Sequence, residues 1–509
     1  MDRKPNILML VTDQHNYRVS GFMGDENANT PNLDRLAGEG AVFERTYCQS
    51  PICTASRASF LTGKYITKLG CWNNHWPLFP EHRTIADVLA DAGYETCLVG
   101  KMHFGGDDQY HGFAHRPYGD LKHGLGHQSD PIDQFPSFPG IREPGISEIP
   151  ESMQQETVVA VESAAFVEDL ASTNPEKPWF LCASFTKPHP PLSIPARYYN
   201  KYKGKIKAVG IDADDEASNH PYTLNAYGNY RLSEITEEMA DDAVAAYYGS
   251  LEYVDDCIGL LLWRLEKAGQ LDNTIIIYTS DHGEMLTHHG MWYKATYYED
   301  AVRVPFFISG AGIGGGVRSD EIVELTDLFP TLCDYAGAEI PGDTDGMSLR
   351  PVIEGKVEKG KFRDHAVTEY YGLASLTSPY VTGKKGDSMR AVVSHKGKFV
   401  NVHKYGNIYF NHETDPDEKT NAIDDPGCKG EISRLSKIIG GDFDWDEIIE
   451  KVNTDRERYR EHHMSGQRTS TPNQYVMKDG RMFDAEGSLY SVRWNPVDVR
   501  KGYIPQRYF

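Results

Sequence analysis

The residue types able to do chemistry in this chain gather at a few short places. Cys53 stands four residues before Arg57 in Ser50-Pro51-Ile52-Cys53-Thr54-Ala55-Ser56-Arg57-Ala58-Ser59-Phe60-Leu61-Thr62-Gly63-Lys64. A proline turn there leads into a run that reads as a helix ending at Gly63. Cys53 then falls in the first turn, where free backbone N–H groups and the helix dipole favour an anion. Arg57, one turn on, shares its face. Taken alone, this spacing suits a redox thiol, a thiolate nucleophile or an inert packed cysteine. The other places are Asp13-Gln14, Lys101 with His103, Lys187 with His189, Asp281-His282 and, beyond them, Lys294. Asp13, Gln14 and Asp281 offer hard oxygen donors, the set preferred by calcium or magnesium, whereas His282 would also admit manganese.

Each place follows an element that can position it. Ile7–Val11 is a continuous apolar run and reads as a strand buried on both faces, ending at Asp13. Further strands are expected at Glu95–Gly100 before Lys101, at Trp179–Phe185 before Lys187, and at Thr274–Thr279 before Asp281. Helices are expected from Pro31 to Gly40, from the Thr84 cap to Ala92, over Thr157–Leu170, over Ala243–Ala268 and over Thr326–Tyr335. In such an alternating chain, ligands collect beyond the carboxyl ends of the strands, so the polar places are predicted to share one crevice. Lys101 and His103 point the same way if the backbone stays extended. The prolines around His189 would stiffen its loop. Residues 105–150 and 200–230 read as irregular insertions.

From about residue 376 the texture changes to short meander strands and a polar helix over 445–462. The predicted organisation is an α/β domain over 1–375 and a smaller α+β domain over 376–509. The basic, aromatic tail from about 470 is expected to act as an arm in a homo-oligomer. Lys+Arg 52 against Asp+Glu 74 gives a net charge of −22. That balance excludes nucleic acid and anionic membrane as main partners, and requires a local basic cluster to attract any anionic substrate. No apolar run is long enough to span a bilayer, and no export signal precedes the first strand. The eight cysteines form no CxxC pair and suit reduced core thiols. A cytoplasmic location is expected, or a periplasmic one if an export signal has been removed.

The segment Cys53-Thr54-Ala55-Ser56-Arg57 with Leu61-Thr62-Gly63 resembles the signature of type I sulfatases, Cys-X-Pro/Ala-X-Arg, with Ala55 as the permitted variant. The resemblance extends to Asp13-Gln14, with Gln where the family's acidic pair has its second member. It also covers Gly100-Lys101-Met102-His103-Phe104, Lys187-Pro188-His189 and Ser280-Asp281-His282-Gly283, the last with His where many members carry Asn. Leu325-Thr326-Asp327, Asp345-Gly346-Met347-Ser348-Leu349 and Glu413–Glu418 are further landmarks. The match covers about residues 5–425 and leans toward the choline-sulfatase-like branch.

The resemblance implies an alkaline-phosphatase-like α/β fold, with a large mixed sheet flanked by helices and a smaller C-terminal domain carrying a short antiparallel sheet. It implies hydrolysis of an O-sulfate ester of a small molecule or sugar. Cys53 would be converted to formylglycine (3-oxoalanine) by a separate formylglycine-generating enzyme. A divalent metal, calcium first and magnesium or manganese second, would be held by Asp13, Gln14, Asp281, His282 and the residue at position 53. Arg57 would hold the oxygens at position 53, and Asp281 could also assist as base. Lys101 and Lys294 would stabilise sulfate charge, His189 with Lys294 would protonate the leaving alkoxide, and His103 would act as base. Asn74 and His75, with Trp72, Asn73, Asp108, Tyr110 and His111, are candidates for the leaving-group pocket. The alternatives are a phosphonate monoester or phosphodiester hydrolase of the same superfamily, or an inactive sulfate-binding relative.

Overall fold

The computed structural model describes residues 3–74, 76–104, 108–119, 141–142, 144–147, 150–210, 219–229, 234–374, 388–440 and 443–462, together with three short strands between 467 and 484. Among these residues, nine strands form one large mixed sheet. Its order is Val317–Glu324, Ala41–Tyr47, Phe306–Gly310, Thr274–Ser280, Asn6–Asp13, Trp179–Pro188, Glu95–Gly100 and His115–Tyr118, with Arg303–Val304 pairing beside Ala41–Tyr47. The central strands run parallel: Leu8 pairs with Leu181 on one side and with Ile276 on the other. Phe306–Gly310 enters antiparallel.

The continuous apolar runs have a direct physical cause. Successive strand side chains point to opposite faces. Leu8 and Leu10 pack into one core with Leu181, Ala183, Ile276 and Tyr278, while Ile7, Met9 and Val11 pack into the other with Phe180, Cys182, Ile275 and Ile277. Both faces are covered, so the strands stay apolar over most of their length, and polar side chains such as Ser184 and Asp13 gather toward their carboxyl ends. The helices Gln155–Thr173 and Glu237–Lys267 supply Val159, Phe166, Val254 and Leu261 to the first core. The fully buried helix Cys53–Thr62 and the helix Leu328–Ala336 lie on the second.

Most expected elements stand where the pattern puts them. Thr84 caps Ile85–Asp91 through a capping box with Asp87. The Cys53 helix stops at Gly63, whose φ of +69° closes it in the left-handed conformation. Two helices fall in or beside the stretch expected to be an irregular insertion. Ala196–Tyr202 and Pro221–Asn229 are helices, the latter opened by a proline at its first position, where the missing N–H costs nothing.

Beyond the large sheet, Ala366–Tyr371, Ser388–Val393, Gly397–Val402 and Gly406–Asn411 form an antiparallel meander. Its first strand begins ten residues before the expected boundary at 376, which itself lies outside the described residues. The helix Lys429–Gly440 packs Leu435 and Ile439 on this sheet, and Trp445–His462 follows as the expected polar helix. Gln467–Arg468, Gln474–Val476 and Met482–Asp484 pair into a small sheet. The expected oligomerisation arm, from about 470 to 509, includes the last two of these strands and otherwise lies outside the described residues.

Candidate active site

Strand register brings the polar places together. Thr12 pairs with Ser280, Val11 with Ser184, and Gly100 with Ser184, so the strands before Asp13, Lys101, Lys187 and Asp281 end side by side. Backbone bonds seal this edge: Asp281 N–H donates to the Thr12 carbonyl, His189 N–H to the Asp13 carbonyl, and Lys101 N–H to the Ser184 carbonyl. Gly100 is required there, because its φ is +93° and a Cβ would lie 2.0 Å from the Ser184 carbonyl oxygen.

The Cys53 helix is aimed at this edge. Its N-cap, Ile52, offers no side-chain acceptor, and the Thr54 N–H is instead satisfied by Asn74 Oδ1 at 2.9 Å. Thr54 Oγ1 donates to the His103 carbonyl, and Ser56 Oγ to the Asp281 carbonyl. Arg57, fully buried, uses its whole fork. Nε donates to Asp281 Oδ2 at 2.8 Å, Nη2 to Asp13 Oδ2 at 2.9 Å, and Nη1 to the Lys101 carbonyl and Ser184 Oγ. Lys101 Nζ stands 2.6 Å from Asp13 Oδ2.

Cys53 Sγ lies 3.2 Å from His282 Nε2 and 3.9 Å from Asp13 Oδ1. Asp13, Cys53, Asp281 and His282 are all buried, and each presents a ligand atom within 4.8 Å of the others. His282 Nδ1 faces the Gly283 carbonyl, which can only accept, so Nδ1 carries the hydrogen. These residues fit a divalent cation: two carboxylates and an imidazole whose orientation is fixed from outside.

The local field follows from burial against charge. Burial pushes Asp13 up, but Lys101, His189, Arg57 and Lys294 outweigh it and hold the carboxyl well below its ordinary range. For Asp281, burial and the neighbouring Asp13 prevail over Arg57, and its affinity for a proton rises. Burial and Asp13 raise the Cys53 thiol, yet Lys294, Lys101 and His282 bring it well below the usual thiol range. Burial and the two lysines hold His189 well below the ordinary imidazole value. Its Nδ1 donates to the Pro190 carbonyl.

Not every expected residue is disposed as the pattern suggested. His103 has φ +57°, so the chain leaves the extended conformation after Lys101 and the two side chains do not share an alternating face. Lys187 donates through Nζ to the Pro191 carbonyl and through its N–H to Glu156, which fixes the His189 loop. Trp72 and Asn73 are buried and turn toward the C-terminal elements, donating to Asp455 and to the Tyr371 carbonyl. Asp108 accepts the N–H groups of Tyr110 and His111, and His111 packs on Phe104. His75 lies outside the described residues.

Sequence reasoning passed over three groups that touch the site. Gln14, with φ +67°, has its amide nitrogen on Glu284 and its amide oxygen on Lys294 Nζ. Glu284 was visible in Asp281-His282-Gly283-Glu284, but nothing local marks it as buried. Tyr222 reaches in from the unexpected helix to donate to the Ala295 carbonyl, and Ala295 N–H donates to Pro51. Ser184 meets Arg57 only because two strands are in register.

The family model of sulfatases matches residues 5–338, and that of the C-terminal part of N-sulphoglucosamine sulphohydrolase matches residues 287–440. The chain is similar to the choline-sulfatase of Rhizobium meliloti, 32% identical over 449 residues that make up 83% of either chain. It is likewise similar to the arylsulfatase of Clostridium perfringens, 33% identical over 480 residues, 86% of this chain and 94% of the other. Among solved structures, the fold is shared with BT4656, a protein in complex with its substrate D-glucosamine-2-N,6-O-disulfate, at a TM-score of 0.71 and 23% identity, over 89% of this chain and 99% of that one. It is shared equally with the phosphonate monoester hydrolase of Silicibacter pomeroyi, at a TM-score of 0.74 and 23% identity, over 94% and 99% of the two chains.

Proposed function

Because this chain belongs to the sulfatase family and hydrolyses sulfate esters, we propose that Cys53, matured to formylglycine, is the centre of an O-sulfatase for small-molecule or sugar sulfates. One observation carries this reading: Arg57 holds Asp13 and Asp281 side by side next to Cys53, at the edge where Lys101 also ends. A redox thiol or an inert packed cysteine has no use for two buried carboxylates clamped by one guanidinium.

Asp13, Gln14, Asp281 and His282 are the residues that would hold a divalent cation, calcium before magnesium or manganese. Such an ion, when bound, supplies Lewis-acid polarisation of oxygen, and a hydrated aldehyde at position 53 supplies the nucleophilic oxygen. The chain's own groups do the rest. Arg57 keeps the two carboxylates apart in a fixed plane, since its five donors are rigidly forked. Lys101 and Lys294 bring positive charge to the sulfate oxygens, where charge develops during transfer. Asp281, which presents an oxygen within 4.8 Å of the sulfur at position 53, would assist as base there. His189, with Lys294, donates to the leaving alkoxide. The arriving sulfate offsets the two lysines that depress His189 and so favours its proton-bearing form. His103, beside Thr54, is the base for the second hydroxyl.

All eight cysteines are buried and none is in a disulfide, which supports a reducing compartment. No helix among the described residues is long and apolar enough to cross a membrane. Dependence on a formylglycine-generating enzyme and homo-oligomerisation through residues 470–509 belong to the same reading. The test starts with the mass of the Cys53 tryptic peptide after co-expression with a formylglycine-generating enzyme: a loss of about 18 mass units marks thiol-to-aldehyde conversion. The converted protein is then offered choline O-sulfate, aryl sulfates and glucosamine sulfates, with phosphonate monoesters as controls. An unaltered thiol, or hydrolysis confined to phosphonates, would overturn the proposal.

A further inference from the structure

We infer that Glu284 is a positioning residue that sets the orientation of both Gln14 and Lys294 from behind the site. The observation is a buried chain of three side chains. Gln14 Nε2 donates to Glu284 Oε2, and Lys294 Nζ donates to Gln14 Oε1. All three residues are buried, Glu284 to within 1% of full burial. A carboxylate can only accept and an ammonium can only donate, so this sandwich allows the Gln14 amide one orientation, with its oxygen toward Lys294.

The other Glu284 oxygen fixes the backbone that carries Lys294. Oε1 accepts the N–H groups of Tyr293 and, at 3.1 Å, of Leu286. Tyr293 and Ala295, on either side of Lys294, have φ +69° and +63°, a conformation that costs non-glycine residues on the order of 1 kcal/mol each. Such a turn persists only where its surroundings hold it. Glu284 holds it on one side, while Tyr222 OH and the Pro51 carbonyl hold Ala295 on the other. Glu284 is held in turn, because its own carbonyl accepts from Asn16 Nδ2 at 2.6 Å. The neutral amide at position 14 therefore bridges a buried carboxylate and the Lys294 ammonium.

The inference rests on Gln14 and Lys294 being site groups, and the experiment separates the two questions. Glu284→Gln keeps the shape and an acceptor for Tyr293 and Leu286, but sets an amide against the Gln14 amide, so that one of them must turn. The expected result is a kcat about ten- to a hundredfold lower with little change in KM, because the defect is in placement. The affinity of the unconverted Cys53 protein for calcium, read by titration calorimetry, should weaken by about tenfold. The double variant Q14E/E284Q exchanges amide and carboxylate, restores the donor–acceptor order, and should recover most of both losses. Glu284→Asp, which withdraws the charge by one methylene, should lose kcat as well and decides the matter if Glu284→Gln does not fold. Wild-type kcat and calcium affinity in Glu284→Gln, or in Glu284→Asp if that variant must decide, would overturn the inference. So would a double variant no better than the single one. If Lys294→Ala is also fully active, the reading of the site falls instead.

Discussion

Arg57 Nε donates to Asp281 Oδ2 at 2.8 Å with both side chains out of contact with water. The same guanidinium reaches Asp13 at 2.9 Å, so a single residue stands between two carboxylates that would otherwise repel each other, with Lys101 as the second cation. Removing one member of a buried ion pair strands the others, at a cost of about 3–5 kcal/mol. Arg57→Ala should therefore lower the thermal midpoint strongly, as read by calorimetry. Arg57→Lys keeps the charge but not the fork, and should retain more stability while losing activity on the order of a hundredfold. An Arg57→Lys enzyme with near-normal kcat would show that position and planarity of the fork are immaterial.

Asn74 was expected in the leaving-group pocket, and its oxygen is already engaged by the Thr54 N–H. It serves as a cap from a distance, taking the place of the absent side-chain acceptor at Ile52. Asn74→Ala should cost about 1 kcal/mol, the usual worth of an N-cap, and loosen the start of the Cys53 helix. Steady-state kinetics should show kcat reduced more than KM is raised. The reverse split would return Asn74 to a substrate-binding role.

The sheet was legible because its strands are covered on both faces, which leaves unbroken apolar runs such as Ile7–Val11 and Thr274–Thr279. The polar edge was legible for the same reason: Asp13, Lys101 and Asp281 stand where those runs stop. What escaped was everything set by a distant partner. Glu284, Tyr222 and Ser184 act through residues between 73 and 270 positions away, and no local period records such a meeting. Pro221–Asn229 was missed because its short, mixed sequence, with Gly228 inside, lacks a clean apolar stripe. His103 was misjudged because extended geometry was carried past the strand end, where the chain turns to φ +57°.

Asp255 gives a pH signature remote from the site. Its carboxylate accepts Leu33 N–H at 2.8 Å and Asn32 N–H at 3.1 Å, capping Pro31–Gly38 from the neighbouring long helix. Burial outweighs these bonds and pushes the carboxyl up to about 6. The folded state then holds this proton more tightly than the unfolded state, whose aspartate titrates near 4. The contribution is present below about pH 4 and is lost as the pH rises to about 6. Denaturant midpoints measured across that window should show wild type losing stability relative to Asp255→Asn as the pH increases. Parallel curves for the two proteins would remove Asp255 as the cause.

Glu299, His412 and Glu418 present ligand atoms within 4.8 Å of one another, a second place where a cation could stand. A cation is already there. Lys398 Nζ, fully buried on the third strand of the meander, lies 2.9 Å from Glu299 and 2.7 Å from Glu418, and donates to the Tyr297 carbonyl. The ammonium thus ties the small sheet to the segment that follows Lys294, and Glu418 also accepts the Glu299 N–H. Lys398→Met would leave two buried carboxylates with only His412 beside Glu418 and Arg303 and the Tyr47 hydroxyl beside Glu299, and should destabilise by about 3–5 kcal/mol. Adding Glu418→Gln removes one of the stranded charges and should return part of that loss, which a double-mutant cycle in denaturant would quantify. Because the charge at this place is covalent, chelators should leave the difference between these variants unchanged. A stability gap that closes when divalent metal is withdrawn would mean that an ion, and not Lys398, holds the meander to that segment.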